Sequence, residues 1–132
     1  MTLLASKRRL QATVAILGIV PVVAGAAGVI LGPAAMSDAG GWPVDLDSHF
    51  RYLSGIFLAL GLTFYATIPS IERKTSLFRL AAALVVAGGL ARLLALVVNG
   101  VPSAPHVAGL GLELVAVPAP RATHWASAVS VP

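Results

Sequence analysis

Two charged residues, Arg92 and Glu113, lie deep inside apolar stretches of this 132-residue sequence. A charged side chain at the centre of a lipid bilayer costs at least about 2.5 kcal/mol, so a charge placed there usually has a partner, a water-filled cavity or a function. Arg51 lies one turn into another apolar stretch. Three further polar residues lie near the ends of such stretches: His49, Asn99 and His106. These six side chains are the candidates for chemistry.

Three interpretations of this polar set are open. In the first, Arg92 and Glu113 form a buried ion pair that locks two helices together, while Arg51 extends its charge to the membrane interface. In the second, the set lines an outward-facing cavity for a small anion, a lipid headgroup or a proton. In the third, His49 and His106 are axial haem ligands. Lone histidines near interfaces are more often hydrogen-bonded rim residues than ligands, so we predict no cofactor.

Catalytic signatures are absent from the sequence. It contains no HExxH zinc motif, no GxSxG nucleophile motif and no phosphate-binding Walker A motif. It also contains no cysteine, which excludes a thiolate metal site and a cysteine nucleophile. Asp45 and Asp47 form a spaced acidic pair in a Gly/Pro-rich loop, a pattern more typical of a solvated loop than of a cation site. We therefore predict that the protein is not an enzyme and has no metal site.

The composition is that of a protein embedded in lipid. Hydrophobic residues make up 58% of the chain and charged residues 11%, against about 45–50% and about 25% in soluble domains. A helical bundle surrounded by lipid needs polar residues only in its loops and interior. The length allows one domain, residues 1–132. The net charge of +4 comes from residues at the ends of apolar runs rather than from a basic stripe, so we predict no nucleic-acid partner.

Four apolar segments predict an all-α bundle of four transmembrane helices, at about residues 10–32, 50–68, 77–98 and 103–120. Segment four contains Pro105 and Pro118 and is either a full crossing or a re-entrant segment. Segment one follows basic residues 7–9 and resembles a signal peptide with a small-residue cleavage site near Ala26. Its apolar run continues past that point, however, which favours an uncleaved helix.

The positions of the basic residues predict the orientation of these segments. Seven of the nine arginines and lysines lie before segment one, flank the break between segments two and three, or follow segment four. Because basic loops stay in the cytoplasm, we expect both termini, including the polar tail at residues 121–132, on the cytoplasmic side of the inner (plasma) membrane. This topology puts Arg92 about 9 Å and Glu113 about 12 Å below the outer boundary, a shared depth at which they can pair.

Glycines mark the faces on which helices can approach closely, because a residue without a side chain lets two backbones come together. Segment one repeats glycine every seven residues, and segments two and three carry further glycines. The set is Gly18, Gly25, Gly28, Gly32, Gly55, Gly88 and Gly89. The simplest interpretation is packing within the bundle. The same surfaces are also suited to another membrane subunit or to a second copy of the chain.

Three stretches of the sequence resemble a bacterial family of small four-helix membrane proteins, the domain of unknown function 4345. They are DSHFRYLSGIFLALGL at residues 47–62, FRLAAALVVAGGLARLLAL at 78–96 and NGVPSAPHVAGLGLELVAVP at 99–118. The most specific matching positions include Arg51, the Gly88-Gly89 pair before Arg92, and Glu113. The resemblance implies a four-helix membrane fold and no known activity. After Pro118 this sequence turns polar, where the family usually continues apolar.

These observations favour a non-enzymatic, multi-pass membrane protein that acts as an accessory or interaction subunit through its glycine-bearing faces. The lipid bilayer is its first partner. The alternative is a small transporter or ligand-binding membrane protein that uses Arg51, Arg92 and Glu113 as an outward-facing site. The two differ in hydration, because a transporter needs a water-connected path past the charges whereas an accessory subunit does not.

Overall fold

The structure is a computed structural model that describes residues 2–71 and 73–117. In this part of the chain there are four helices and no strand: α1 (Thr2–Leu31), α2 (Val44–Thr67), α3 (Thr75–Asn99) and α4 (Ala104–Gly111). A π-helical turn, Leu112–Ala116, continues α4. The predicted all-α fold class is confirmed. The polar tail at 121–132 and the predicted end of segment four lie outside the described residues.

Three of the helices are long and apolar enough to cross a membrane, over Lys7–Ala35, Val44–Ser70 and Thr75–Asn99. The fourth, Ala104–Ala116, is shorter. α1 and α2 both begin several residues before the predicted apolar segments. The reason is that polar residues continue a helix beyond its apolar part, and at the start of α2 Asp45 and Asp47 favour the positive end of the helix dipole.

The chain divides into two compact units, Met1–Phe78 and Arg79–Pro132. In the first unit, α1 and α2 run antiparallel. Gly18, in the middle of α1, faces Tyr65, near the end of α2, whereas Gly25, later in α1, faces Leu58, earlier in α2. Between residues 14 and 32 the buried positions of α1 follow one another in alternating steps of four and three: Val14, Gly18, Pro21, Gly25, Gly28 and Gly32. This spacing forms one continuous seam along the helix.

The seam brings the two backbones into direct contact. A Cβ atom at Gly25 would lie 2.6 Å from the backbone nitrogen of Leu58 and 2.8 Å from its Cα. α2 contributes a glycine of its own, because a Cβ atom at Gly61 would lie 3.0 Å from the backbone nitrogen of Val22. Any side chain at Gly25 would therefore separate the helices. Gly55, by contrast, makes only ordinary contact, with Val29 Cγ2 at 3.9 Å from a Cβ position.

Two long-range hydrogen bonds fix the other end of the same pair. Gln11 Nε2 donates to the carbonyl of Ile68 at 2.7 Å, and Tyr65 Oη donates to the carbonyl of Ala15 at 2.9 Å. Both acceptors are backbone carbonyls: that of Ile68 directly follows the end of α2, and that of Ala15 lies next to the seam on α1. These bonds fix the register of α1 on α2 without using a charged side chain.

In the second unit, α3 and α4 are joined by the short connection that begins at Gly100. Gly100 has a φ of +95° and its N–H donates to the carbonyl of Leu96 at 3.0 Å, an arrangement that ends a helix and favours glycine. Ser103 precedes α4, and Pro105 lies in its first turn, where its missing N–H has no cost. The chain then returns along α3, so that Gly89 faces Glu113 and Leu114.

The seam predicts a sharp difference between two glycine-to-alanine substitutions. Gly25→Ala forces a methyl group against the Leu58 backbone, so we expect a loss of about 1–3 kcal/mol of unfolding free energy. Gly88→Ala is the matched control, because, its own helix backbone aside, no atom of the described residues lies within 4 Å of a Cβ at that position. It should be neutral or stabilising by up to about 1 kcal/mol. Denaturant unfolding in detergent micelles measures both, and equal losses would contradict this account of the seam.

Candidate functional site

Arg92 and Glu113 meet between α3 and the π-helical turn that follows α4. Arg92 Nε lies 3.2 Å from Glu113 Oε1. The approach is possible because Gly89, one turn before Arg92, presents no side chain, and a Cβ there would lie 3.0 Å from the Cβ of Glu113. Arg92 Nη1 lies beside Gly109 of α4, 3.5 Å from a Cβ position there. Two glycines thus make room for one arginine and one carboxylate.

The two members of this pair have very different surroundings. The side chain of Arg92 is 38% exposed, whereas that of Glu113 is 11% exposed. Glu113 Oε2 is buried and has no hydrogen-bond partner among the described residues. Leaving a buried acceptor unsatisfied costs about 1–3 kcal/mol, more for a charged group. The pair can therefore accept one further donor at Oε2, either a proton or an N–H or O–H group of a ligand.

The backbone around Glu113 departs from regular α-helix. Val117 N–H donates to the carbonyl of Leu112 at 3.0 Å, five residues back, which is the bond of a π-helix. Single π-helical turns inside α-helices occur frequently at functional sites. Sequence reasoning missed this turn because no residue type marks it. The closest signal is the pair of glycines, Gly109 and Gly111, in the turn before Glu113.

Arg51 belongs to the first unit, where its guanidinium makes four hydrogen bonds. Its Nε donates to Asp47 Oδ2 at 2.7 Å and its Nη2 to Asp47 Oδ1 at 3.2 Å, a two-point contact with one carboxylate. Its Nη1 donates to the carbonyls of Val29 at 2.6 Å and Ile30 at 2.9 Å. These carbonyls lie in the last turn of α1, where no following helical N–H donates a hydrogen bond to them. Arg51 therefore caps α1 from α2.

Gly32 makes room for this cap. It has a φ of +62°, and a Cβ there would collide with Asp47 Oδ1 and lie 2.8 Å from Arg51 Nη2. Sequence reasoning had not assigned Asp47 as the partner of Arg51, although the spacing of four residues on one helix was a readable signal. Because Asp47 balances the charge of Arg51, the structure gives this arginine a capping role and leaves no unpaired positive charge on it for an anion.

The three rim residues are divided between the two units. His49 belongs to the first unit and its ring lies 6.4 Å from that of Tyr52. His106 belongs to the second unit, and its Nδ1 lies 2.9 Å from Ser103 Oγ, across the first turn of α4. Asn99 is the exposed last residue of α3. Among residues 2–71 and 73–117 no group of three or more metal-ligating side chains comes together.

A family model described as domain of unknown function (DUF4345) matches residues 9–122, a region that contains Arg51, Arg92 and Glu113. No curated protein and no solved structure matches the chain.

The Arg92 and Glu113 contact predicts strong coupling between two substitutions. Arg92→Met or Glu113→Leu alone leaves the other charge uncompensated, so each should lower the unfolding free energy by about 3–5 kcal/mol. The double variant removes both charges and should recover much of that loss. Unfolding of the wild type, both single variants and the double variant in detergent measures the coupling. Losses that simply add would show that the two side chains do not stabilise each other.

Proposed function

The chain belongs to the family described as domain of unknown function (DUF4345), and from that premise we propose that it is a non-enzymatic, multi-pass inner-membrane protein that acts as an accessory or interaction subunit. Three helices of membrane-spanning length and apolar character support the membrane part of this proposal. The proposed role as an interaction subunit depends on which small residues the fold buries and which it leaves exposed.

The glycines of α1 are used within the chain. Gly25 and Gly28 lie against Leu58 and Ser54 of α2, so this surface is already occupied. α3 differs, because it presents a row of exposed alanines at four-residue spacing: Ala83, Ala87, Ala91 and Ala95. Gly88 lies beside the row, and no described atom beyond its own helix backbone lies within 4 Å of a Cβ position there. We call these five residues the α3 small-residue face.

The α3 small-residue face is the observation that carries the proposal. Helices in lipid gain nothing from burying apolar surface against each other, so they associate through close packing of backbones at small residues. Four-residue spacing of alanine or glycine places these residues along one side of a helix, where a second helix can lie against them. The partner is a transmembrane helix of another subunit or of a second copy of the chain.

A second candidate function is a small transporter or ligand-binding membrane protein. The unsatisfied Oε2 of Glu113 and the half-exposed Arg92 beside it favour this candidate. The variant Arg92→Met/Glu113→Leu separates the two functions, since it removes both charges without leaving one unpaired. A ligand-binding protein should lose all ligand-induced thermal stabilisation in this variant, whereas an accessory subunit should keep its association with its partner.

The natural absence of cysteine allows a direct test of the α3 small-residue face. If the partner is a second copy, we expect Ala87→Cys to form an intermolecular disulfide in native membranes under mild oxidation, because close helix packing brings the two introduced thiols together. For association with a second copy the product is a crosslinked dimer. If the partner is another subunit, a bifunctional crosslinker attached to the same cysteine should join the two proteins, and the crosslinked product then identifies the partner. Ala59→Cys is the matched control, an exposed alanine on α2 outside the face.

A larger side chain on the α3 small-residue face gives a second test, because it should prevent close packing of a partner helix. Ala87→Leu should reduce the size of the complex extracted in mild detergent, whereas Ala59→Leu should leave it unchanged. Equal crosslinking of the two cysteine variants, together with an unchanged complex for Ala87→Leu, would contradict an interaction through α3.

A further inference from the structure

The fold gathers basic residues from two distant parts of the chain at one end of the α1 and α2 pair. The hydrogen bond from Gln11 Nε2 to the Ile68 carbonyl, 2.7 Å long, places the start of α1 beside the end of α2. Residues 7–9 precede Gln11 by one turn, and residues 73–74 follow Ile68 after a short 3-10 turn. We call the resulting group the basic end; it consists of Lys7, Arg8, Arg9, Arg73 and Lys74.

The opposite end of the same pair carries three of the five acidic residues of the chain. Asp47 lies against Gly32 at the end of α1, and Asp38 and Asp45 lie in the connection to α2 or in its first turn. Glu72 is the one acidic residue whose sequence position is near the basic end, and it lies outside the described residues. Even with its charge included, five basic residues exceed one acidic residue there, so charge is strongly segregated along the pair.

Some of these basic groups have structural roles and others do not. Lys74 Nζ donates to the carbonyl of Ala66 at 2.7 Å and so caps the end of α2, and Lys7 also has an interaction within the chain. Arg8, Arg9 and Arg73 are exposed, and their side chains form no hydrogen bond or ion pair with another described residue. Their guanidinium groups are the donors at the basic end that the described fold does not use.

The depth of the basic end indicates which anion it meets. The apolar spans begin at Lys7 and end at Ser70, so in a bilayer the neighbouring arginines lie at the level of the lipid phosphates. A guanidinium group binds phosphate through two parallel hydrogen bonds. The arginines come from two segments of the chain, which suits a headgroup with two linked phosphates better than a headgroup with one. Basic pockets between transmembrane helices on the cytoplasmic side are suited to such lipids.

We propose that the basic end is a binding site for an anionic phospholipid of the cardiolipin class, with Arg8 and Arg9 binding one phosphate and Arg73 the other. The site depends only on the α1 and α2 pair. It is therefore independent of the α3 small-residue face and of the Arg92 and Glu113 pair.

Lipid binding by the full chain tests the proposal directly. The purified protein is reconstituted in phosphatidylcholine nanodiscs that contain cardiolipin, or phosphatidylglycerol at equal total phosphate, and thermal unfolding is followed. A lipid that binds only the folded state raises the apparent melting temperature, and we expect the larger rise with cardiolipin. In lipid titrations, Arg73→Gln should weaken cardiolipin binding about fivefold, as should each of Arg8→Gln and Arg9→Gln.

A charge-matched control distinguishes loss of the arginine site from the general effect of a lower net charge on lipid binding. Ala39→Glu/Ser48→Glu lowers the net charge by the same amount as Arg8→Gln/Arg9→Gln, but at exposed positions of the opposite end. It should bind cardiolipin as the wild type does. The proposal is overturned if this control loses as much affinity as the arginine variants, or if Arg73→Gln has no effect. It is also overturned if phosphatidylglycerol at equal phosphate, or soluble pyrophosphate, stabilises the wild type as strongly as cardiolipin.

Discussion

The direct contact of two helix backbones at Gly25 and Leu58 is the constraint on which the α1 and α2 pair depends. Arg51 can reach the last carbonyls of α1 only because the glycine seam removes the side chains that would hold the helices apart. The same closeness lets the Tyr65 hydroxyl reach the Ala15 carbonyl at the other end of the seam. The polar contacts that fix the register therefore depend on the close packing of the two helices.

The two arginines within apolar segments illustrate two different solutions to one physical problem. A guanidinium group away from water needs acceptors for its donors and a negative charge nearby. Arg51 finds both, since Asp47 supplies the charge and the end of α1 supplies two carbonyls. Arg92 contacts one oxygen of Glu113, and the other oxygen is buried without a partner among the described residues. The hydrogen bonds of Arg51 therefore hold α1 against α2. In the Arg92 and Glu113 pair, one carboxylate oxygen can still accept a hydrogen bond.

The same distinction applies to the small residues. Glycine and alanine let two helices approach closely wherever they occur. Only a surface that the rest of the chain leaves exposed can bind another molecule. α2 covers the seam of α1, whereas α3 keeps its row of alanines exposed. The pairing of α1 with α2 also segregates charge, because it places five basic residues at one end of the pair and Asp38, Asp45 and Asp47 at the other. A membrane boundary is the environment in which such segregation matters most.

The sequence by itself determined the all-α fold class, the three long apolar helices and the unusual positions of Arg51, Arg92 and Glu113. These properties follow from local composition, because the transfer of each residue into an apolar environment depends on its own side chain. Helix starts were predicted less well, since polar residues continue α1 and α2 beyond their apolar parts. Only the tertiary structure decided that Asp47 and the end of α1 are the partners of Arg51. It also decided that α2 covers Gly25 while Gly88 stays open, and that Glu113 lies in a π-helical turn with one unsatisfied oxygen. These outcomes depend on how each helix is rotated and which neighbour it meets, and a pattern along one chain segment does not encode either.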